Sequence, residues 1–189
     1  MKVRQWSKLP YYDPKSLLIA LDKVSDQVAA ANLPYNLSSL RTNELNQFRE
    51  RRQCALFCYG MSQRLGTEVR FAVFEESDTD FIGKYIFLDE VHYVPLQVKE
   101  IVPSVVSDAV TLQDEIDKLE KYTDSKDLVV AFHINRVIHV DFAQLDFSRV
   151  PVMELWFFGC VDQVKQEWLL FGNVLSEQRE PSNFRYPEP

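Results

Sequence analysis

The stretch "DFIGKYIFLDEVHYVPLQVKEIV", residues 80–102, decides how the rest of the chain is read. Two runs rich in β-branched and aromatic residues, Asp80–Phe87 and His92–Val102, flank a short acidic turn around Leu88-Asp89-Glu90. A hairpin is their natural pairing. Strand alternation puts Gln97 and Lys99 on one face of the second run, and Leu96, Val98 and Glu100 on the other. Asp78, Asp80 and Lys84 share a face of the first. Side chains opposite one another in a hairpin lie about 5 Å apart at Cβ. A carboxylate, an amide and an ammonium can therefore converge on one small volume. Burying them unpaired is costly, so either water or function must accompany them.

Outward from the hairpin, a third strand-like run, Glu68–Phe74, precedes it without an intervening helix. Before that, residues from about Asn43 to Leu65 carry a helical stripe of Cys54, Phe57, Cys58, Met61 and Leu65, with Gly66 as the stop. Asp13-Pro14 is a helix start, and Leu17, Leu21, Val24 and Val28 continue as a stripe until Asn32 and Pro34. Downstream, Thr111-x-x-Asp114 reads as a capping box ahead of Leu112, Ile116 and Leu119. A buried strand, Leu128–Ile134, follows, and Asn135-Arg136 can turn it into another, Val137–Phe142. Val152–Cys160 and Glu167–Val174, with their "LWFFG" and "WLLFG", form a second hairpin. The expected fold is α+β: a mixed β-sheet flanked by helices, with an α-β-β-β-α-β core and additional C-terminal strands. One domain over residues 1–175 and a polar tail, extended or disordered, over 176–189 complete the expectation.

The totals narrow the function. The chain has 189 residues, 46% of them hydrophobic, with a net charge of −7. It lacks the basic balance of a bulk nucleic-acid binder, which leaves room only for a locally positive cleft. Three cysteines, Cys54, Cys58 and Cys160, lie in apolar surroundings. An odd count points to free thiols in a reducing compartment, and the i, i+4 pair Cys54 and Cys58 reads as core. No apolar leader or membrane-length run occurs, so the cytoplasm is expected, and the sequon at Asn36 carries no meaning there. No glycine-rich phosphate loop is present.

A carboxylate such as Asp80 is a hard ligand for Mg²⁺ or Mn²⁺, and a neighbouring lysine can orient a water or steady a phosphorane-like transition state. At this point the order α-β-β-β-α-β, with Asp80 in "SDTDF" and Gln97-x-Lys99 in "PLQVKE", resembles the PD-(D/E)xK, or restriction-endonuclease-like, nuclease superfamily over roughly residues 43–135. The resemblance implies that Asp80 and Gln97 hold the metal and that Lys99 serves the nucleophile. Two departures stand out: Thr79 where a proline often precedes the aspartate, and Gln97 where the family has an acid. The resemblance further implies an acid from the preceding helix, for which Glu50 extends the apolar stripe. Its neighbours Arg49, Arg51 and Arg52 are a basic cluster suited to phosphates. A solvated helix face explains the same residues. Glu75 and Glu76 are rival ligands, and a plain Asp80–Lys99 salt bridge is a rival to the whole site.

The remaining candidates read as structure. His133 in "AFHIN" is a strand histidine, and His92 and His139 lack metal spacing with it. Ser104 and Ser107 have no local base. Trp6, Tyr11 and Tyr12 either stack bases or pack on the domain. Two functions follow. One is a metal-dependent nuclease for DNA or RNA, with Lys84 and the arginines supplying the field. The other is a non-catalytic interaction module on a degenerate scaffold, with a protein partner or a homodimer edge and no membrane.

Overall fold

Three helix boundaries fall where local chemistry caps or stops the backbone. The computed structural model describes residues 2–31, 45–76, 78–104, 106, 110–122, 125–162, 164, 166–177 and 179–189. Helix α1 is Lys2–Trp6. Asp13 caps α2 (Pro14–Ala30), its carboxylate accepting from the Lys15 N–H at 3.0 Å and so satisfying a donor that the first turn leaves free. Helix α3 (Asn46–Leu65) stops at Gly66, whose φ of 66° is the left-handed conformation that favours glycine. Helix α4 (Leu112–Asp117) opens with the reciprocal Thr111–Asp114 capping box. The expected breaks at Asn32, Pro34 and Asn43, the Asn36 sequon and Ser107 lie outside the described residues.

Seven strands form one sheet in chain order: β1 (Arg70–Glu76), β2 (Thr79–Phe87), β3 (Glu90–Ile101), β4 (Val129–Ile134), β5 (Glu154–Cys160), β6 (Glu167–Gly172) and β7 (Glu180–Arg185). The pairs β3–β4 and β4–β5 are parallel and the other four are antiparallel, so the sheet is mixed and the fold is α+β, as expected. The β2–β3 hairpin turns through Leu88 and Asp89 at φ 50° and 63°, a pair of positive angles that matches the strands' own twist. The parallel step from β3 to β4 needs a crossover, which contains α4. The two aromatic strands pair as expected, with Phe157 opposite Phe171.

Each face of the sheet buries its own layer. On one, Cys54, Phe57 and Cys58 of α3 pack against Phe71, Phe81, Leu96, Val98, Trp156 and Phe158. On the other, Leu112, Ile116, Leu119 and Tyr122 pack against Ile101, Val130, Phe132, Leu155 and Phe157. The stripe expected on α2 is rotated: Leu18 is fully buried while Val24 is 50% exposed.

Two expectations are corrected. Residues 137–142 form no strand; Val137 is fully exposed and a 3-10 turn, Phe142–Gln144, closes the segment, capped by Asp141. The reason is topological, because both edges of β4 are already taken by β3 and β5. The stretch 176–189 is no tail. It contributes β7, which pairs with β6, and its Phe184 and Tyr186 are buried. Phe184 stacks on Trp168 with centroids 6.2 Å apart, and the Tyr186 hydroxyl donates to the Leu18 carbonyl at 3.0 Å. Two anchoring aromatics outweigh the polar composition around them.

Candidate active site

The hairpin brings Asp80 and Gln97 together. Phe81 pairs with Leu96, so the next positions along face one another, and the Gln97 side-chain amide donates to the Asp80 carboxylate. Lys99 follows two residues on, on the same face of β3, with its ammonium 5.4 Å from the centre of the Tyr122 ring. It is coupled electrostatically to Asp80, but the plain Asp80–Lys99 ion pair does not form; the amide takes the carboxylate instead. Glu50 reaches the same region from α3. With Arg51, Glu75, Glu76 and Asp80 it lines a cleft of about 450 Å³ at the end of the sheet.

Burial, and then like charge, works against ionisation of the cleft's acids. Burial pushes the Asp80 carboxyl up to about 6, and the neighbouring Glu50 and Glu75 push the same way, against Lys99 and the Gln97 hydrogen bond. Glu50 is also raised, first by burial and then by Glu75, with Arg49 opposing. Burial lowers the Lys99 ammonium, against the pull of Asp80. Groups perturbed by burial and by specific charged neighbours in a cleft mark a functional site more often than an ordinary surface.

The donor chemistry fits a hard divalent cation. Two half-buried carboxylates from separate elements, Asp80 and Glu50, both resist ionisation, first through burial, and a bound cation would offset that cost by favouring their charged forms. Gln97 offers the carbonyl end of its amide. Among the described residues no group of three or more His, Cys, Asp or Glu side chains is arranged to hold a metal ion. The candidate set therefore rests on two acids and one neutral oxygen.

The basic cluster divides. Arg49 turns back to the sheet and pairs with Glu100 at 3.6 Å; Asn135 donates to the other Glu100 oxygen at 2.6 Å. Arg52 lies beside the Tyr186 hydroxyl. Only Arg51 faces the cleft, together with Gln47. Lys84 lies further along β2 and sits over the Tyr11 ring at 5.2 Å. Asp78 accepts from Ser125 at 2.8 Å, tying β2 to the loop after α4. His133 is buried and stacks on Phe158 and Trp168, and His92 stacks on Tyr85. Trp6 is buried against Phe74, Tyr12 packs against Phe71 and Tyr11 against Tyr93, so these aromatics pack as part of the domain.

Sequence reading missed Lys121, the last residue of a 3-10 turn (Lys118–Lys121) that follows α4, and Tyr122 just after it. Tyr122 extends the stripe Leu112, Ile116, Leu119 by one further helical step, a signal present in the spacing. The Arg49–Glu100 pair has no such signal, because it joins a helix to a strand across a layer. Compared with known proteins, the chain matches no protein-family model, no curated protein and no solved structure. Among the described residues no helix is long and apolar enough to cross a membrane.

Proposed function

We propose that the protein is a metal-dependent nuclease that hydrolyses DNA or RNA phosphodiester bonds in the cleft around Asp80. The observation that carries this reading is the contact of Gln97 with Asp80, with Lys99 on the same face of β3, beside a cleft that Asp80 and Glu50 line and where both acids resist ionisation. The element order and the Asp80 and Gln97-x-Lys99 positions add the resemblance to PD-(D/E)xK nucleases. Asp80 and Glu50, with the Gln97 carbonyl, would hold Mg²⁺ or Mn²⁺. When bound, such an ion would supply Lewis acidity, for activating a water and offsetting charge on the phosphate. Lys99 donates from Nζ to the attacking oxygen or to a phosphate oxygen, and its burial strengthens that interaction. Arg51 at the cleft wall attracts the neighbouring phosphate. Free, buried Cys54 and Cys58, with sulfurs 4.0 Å apart and unbonded, support a reducing, cytoplasmic setting.

A second reading, a non-catalytic interaction module binding a protein or a second copy, draws on the hairpin tip. Ile86, Phe87, Leu88 and Val91 are all exposed there, Leu88 at 82%. Purified protein incubated with plasmid and single-stranded substrates in Mg²⁺ or Mn²⁺ separates the two. Cleavage that Asp80→Ala and Lys99→Ala both abolish supports the nuclease; no cleavage by wild type in either metal leaves the binding module.

A further inference from the structure

Three lysines lie on the α4 side of the sheet, outside the lining of the cleft, and they are not equivalent. Lys118 is neutralised by Glu115 at 2.6 Å. Lys99, from β3, and Lys121, from the 3-10 turn, have no carboxylate within 4 Å among the described residues. Both instead sit over the ring of Tyr122, with ammonium-to-centroid distances of 5.4 and 5.1 Å. Tyr122 is only 3% exposed, packed into the apolar layer formed by Leu112, Ile116 and Leu119, so the ring is a fixed platform. The ring attracts each cation, and Lys121 also donates to its hydroxyl. An anion that reaches both ammonium groups gains two attractions at one place. The ring also borders the acidic end of the site, since Asp78 and Asp80 both act on its hydroxyl.

We propose that Lys99 and Lys121, held on the ring of Tyr122, form a paired-ammonium site for a backbone phosphate beside Asp80, and that Tyr122 is the residue that positions them. The inference rests on the phosphodiester reading of the cleft and assigns it a substrate-binding half. Lys99 is half-buried and reaches the reacting region, whereas Lys121 is exposed and meets the incoming strand first. Tyr122 touches no substrate; it acts through the two lysines. A phenylalanine keeps the aromatic face but loses the hydroxyl to which Lys121 donates, and a leucine loses both.

The test measures binding separately from cleavage. A short labelled DNA oligonucleotide and an RNA of the same sequence are titrated in EDTA, so that no strand is cut, against wild type, Lys121→Ala, Tyr122→Phe and Tyr122→Leu over a range of salt. Lys121→Ala is expected to weaken binding about tenfold and to lower the slope of log K against log salt by about 0.7, the loss of one single-strand phosphate contact. Tyr122→Phe should bind between wild type and Lys121→Ala, because it keeps the ring and loses the hydroxyl, and Tyr122→Leu as weakly as Lys121→Ala. In the NMR spectrum the ε-methylene protons of Lys99, shifted upfield by the ring, should keep their positions in Tyr122→Phe and lose the shift in Tyr122→Leu. Stronger binding of one oligonucleotide assigns the phosphate to DNA or to RNA. Wild-type affinity and salt slope in Lys121→Ala overturn the proposal, whatever happens to the buried Tyr122 variants. So does a wild type that binds neither strand. Binding with the expected losses but no cleavage in Mg²⁺ or Mn²⁺ sinks the catalytic reading and leaves the phosphate site standing.

Discussion

Replacing Asp80 by Asn should make the metal-free protein more stable, and only above a defined pH. The substitution removes the charge but keeps an oxygen that can accept from the Gln97 amide. In the folded protein the Asp80 carboxyl is raised to about 6, mainly by burial and then by Glu50. An unfolded aspartate titrates near about 3.9. The folded state therefore binds more protons between these two values, so wild-type stability is greatest below about 4, falls as pH rises to about 6, and is flat above. A difference of about two pH units is worth at most about 3 kcal/mol, and partial exposure of Asp80 to solvent trims this to roughly 1–2 kcal/mol. Asp80→Asn should thus exceed wild type by about 1–2 kcal/mol at about pH 8 and match it at about pH 4. Glu50, on α3, shifts in the same direction, so Glu50→Gln should show a weaker version of the same profile. Urea unfolding in EDTA across this range measures it. A pH-independent difference, or an Asp80→Asn protein less stable than wild type at about pH 8, would refute the argument that the cleft's acids are held against their preference.

Other consequences follow from the same geometry. Gln97→Glu places a second carboxylate against Asp80, so isothermal titration should show Mn²⁺ binding about tenfold tighter while the metal-free fold loses roughly 1–2 kcal/mol. Phe184→Ala should cost about 3–5 kcal/mol in urea unfolding, because the side chain is buried between Trp168 and Tyr59. Gly60→Ala sets a helix-propensity gain of up to about 1 kcal/mol against overpacking of about 1–3 kcal/mol. Its new Cβ would stand 2.7 Å from the packed Phe184 ring, so a net loss is expected in the same assay.

Much of this was legible in the sequence because it is local. Asp13-Pro14, Gly66 and the Thr111–Asp114 box each act within a few residues, and each caps the helix it was expected to cap. The Asp80–Gln97 contact was legible for a related reason: a tight hairpin and period-two alternation fix which side chains oppose one another. Glu75 is different, since β1 slips register between Val73 and Glu76 and no periodicity shows where a bulge re-aims a side chain. Arg49 reads as part of a phosphate-binding cluster until the helix is docked, when Glu100 takes it. The segment 137–142 has strand composition, but strand pairing needs a free edge and β4 has none. Residues 180–185 have the opposite character: polar side chains and a proline, which an edge strand tolerates, and one phenylalanine that fixes them to β6.

The central claim is that Asp80 and its neighbours form a divalent-cation site, and a Mn²⁺ titration by calorimetry tests it most directly. Wild type should bind Mn²⁺ with an affinity that is level above about pH 6 and falls about tenfold per unit below it, as the proton on Asp80 competes with the ion. Asp80→Asn should lose that binding at every pH. Equal Mn²⁺ affinity in wild type and Asp80→Asn, or no binding by wild type at any pH, would contradict the claim.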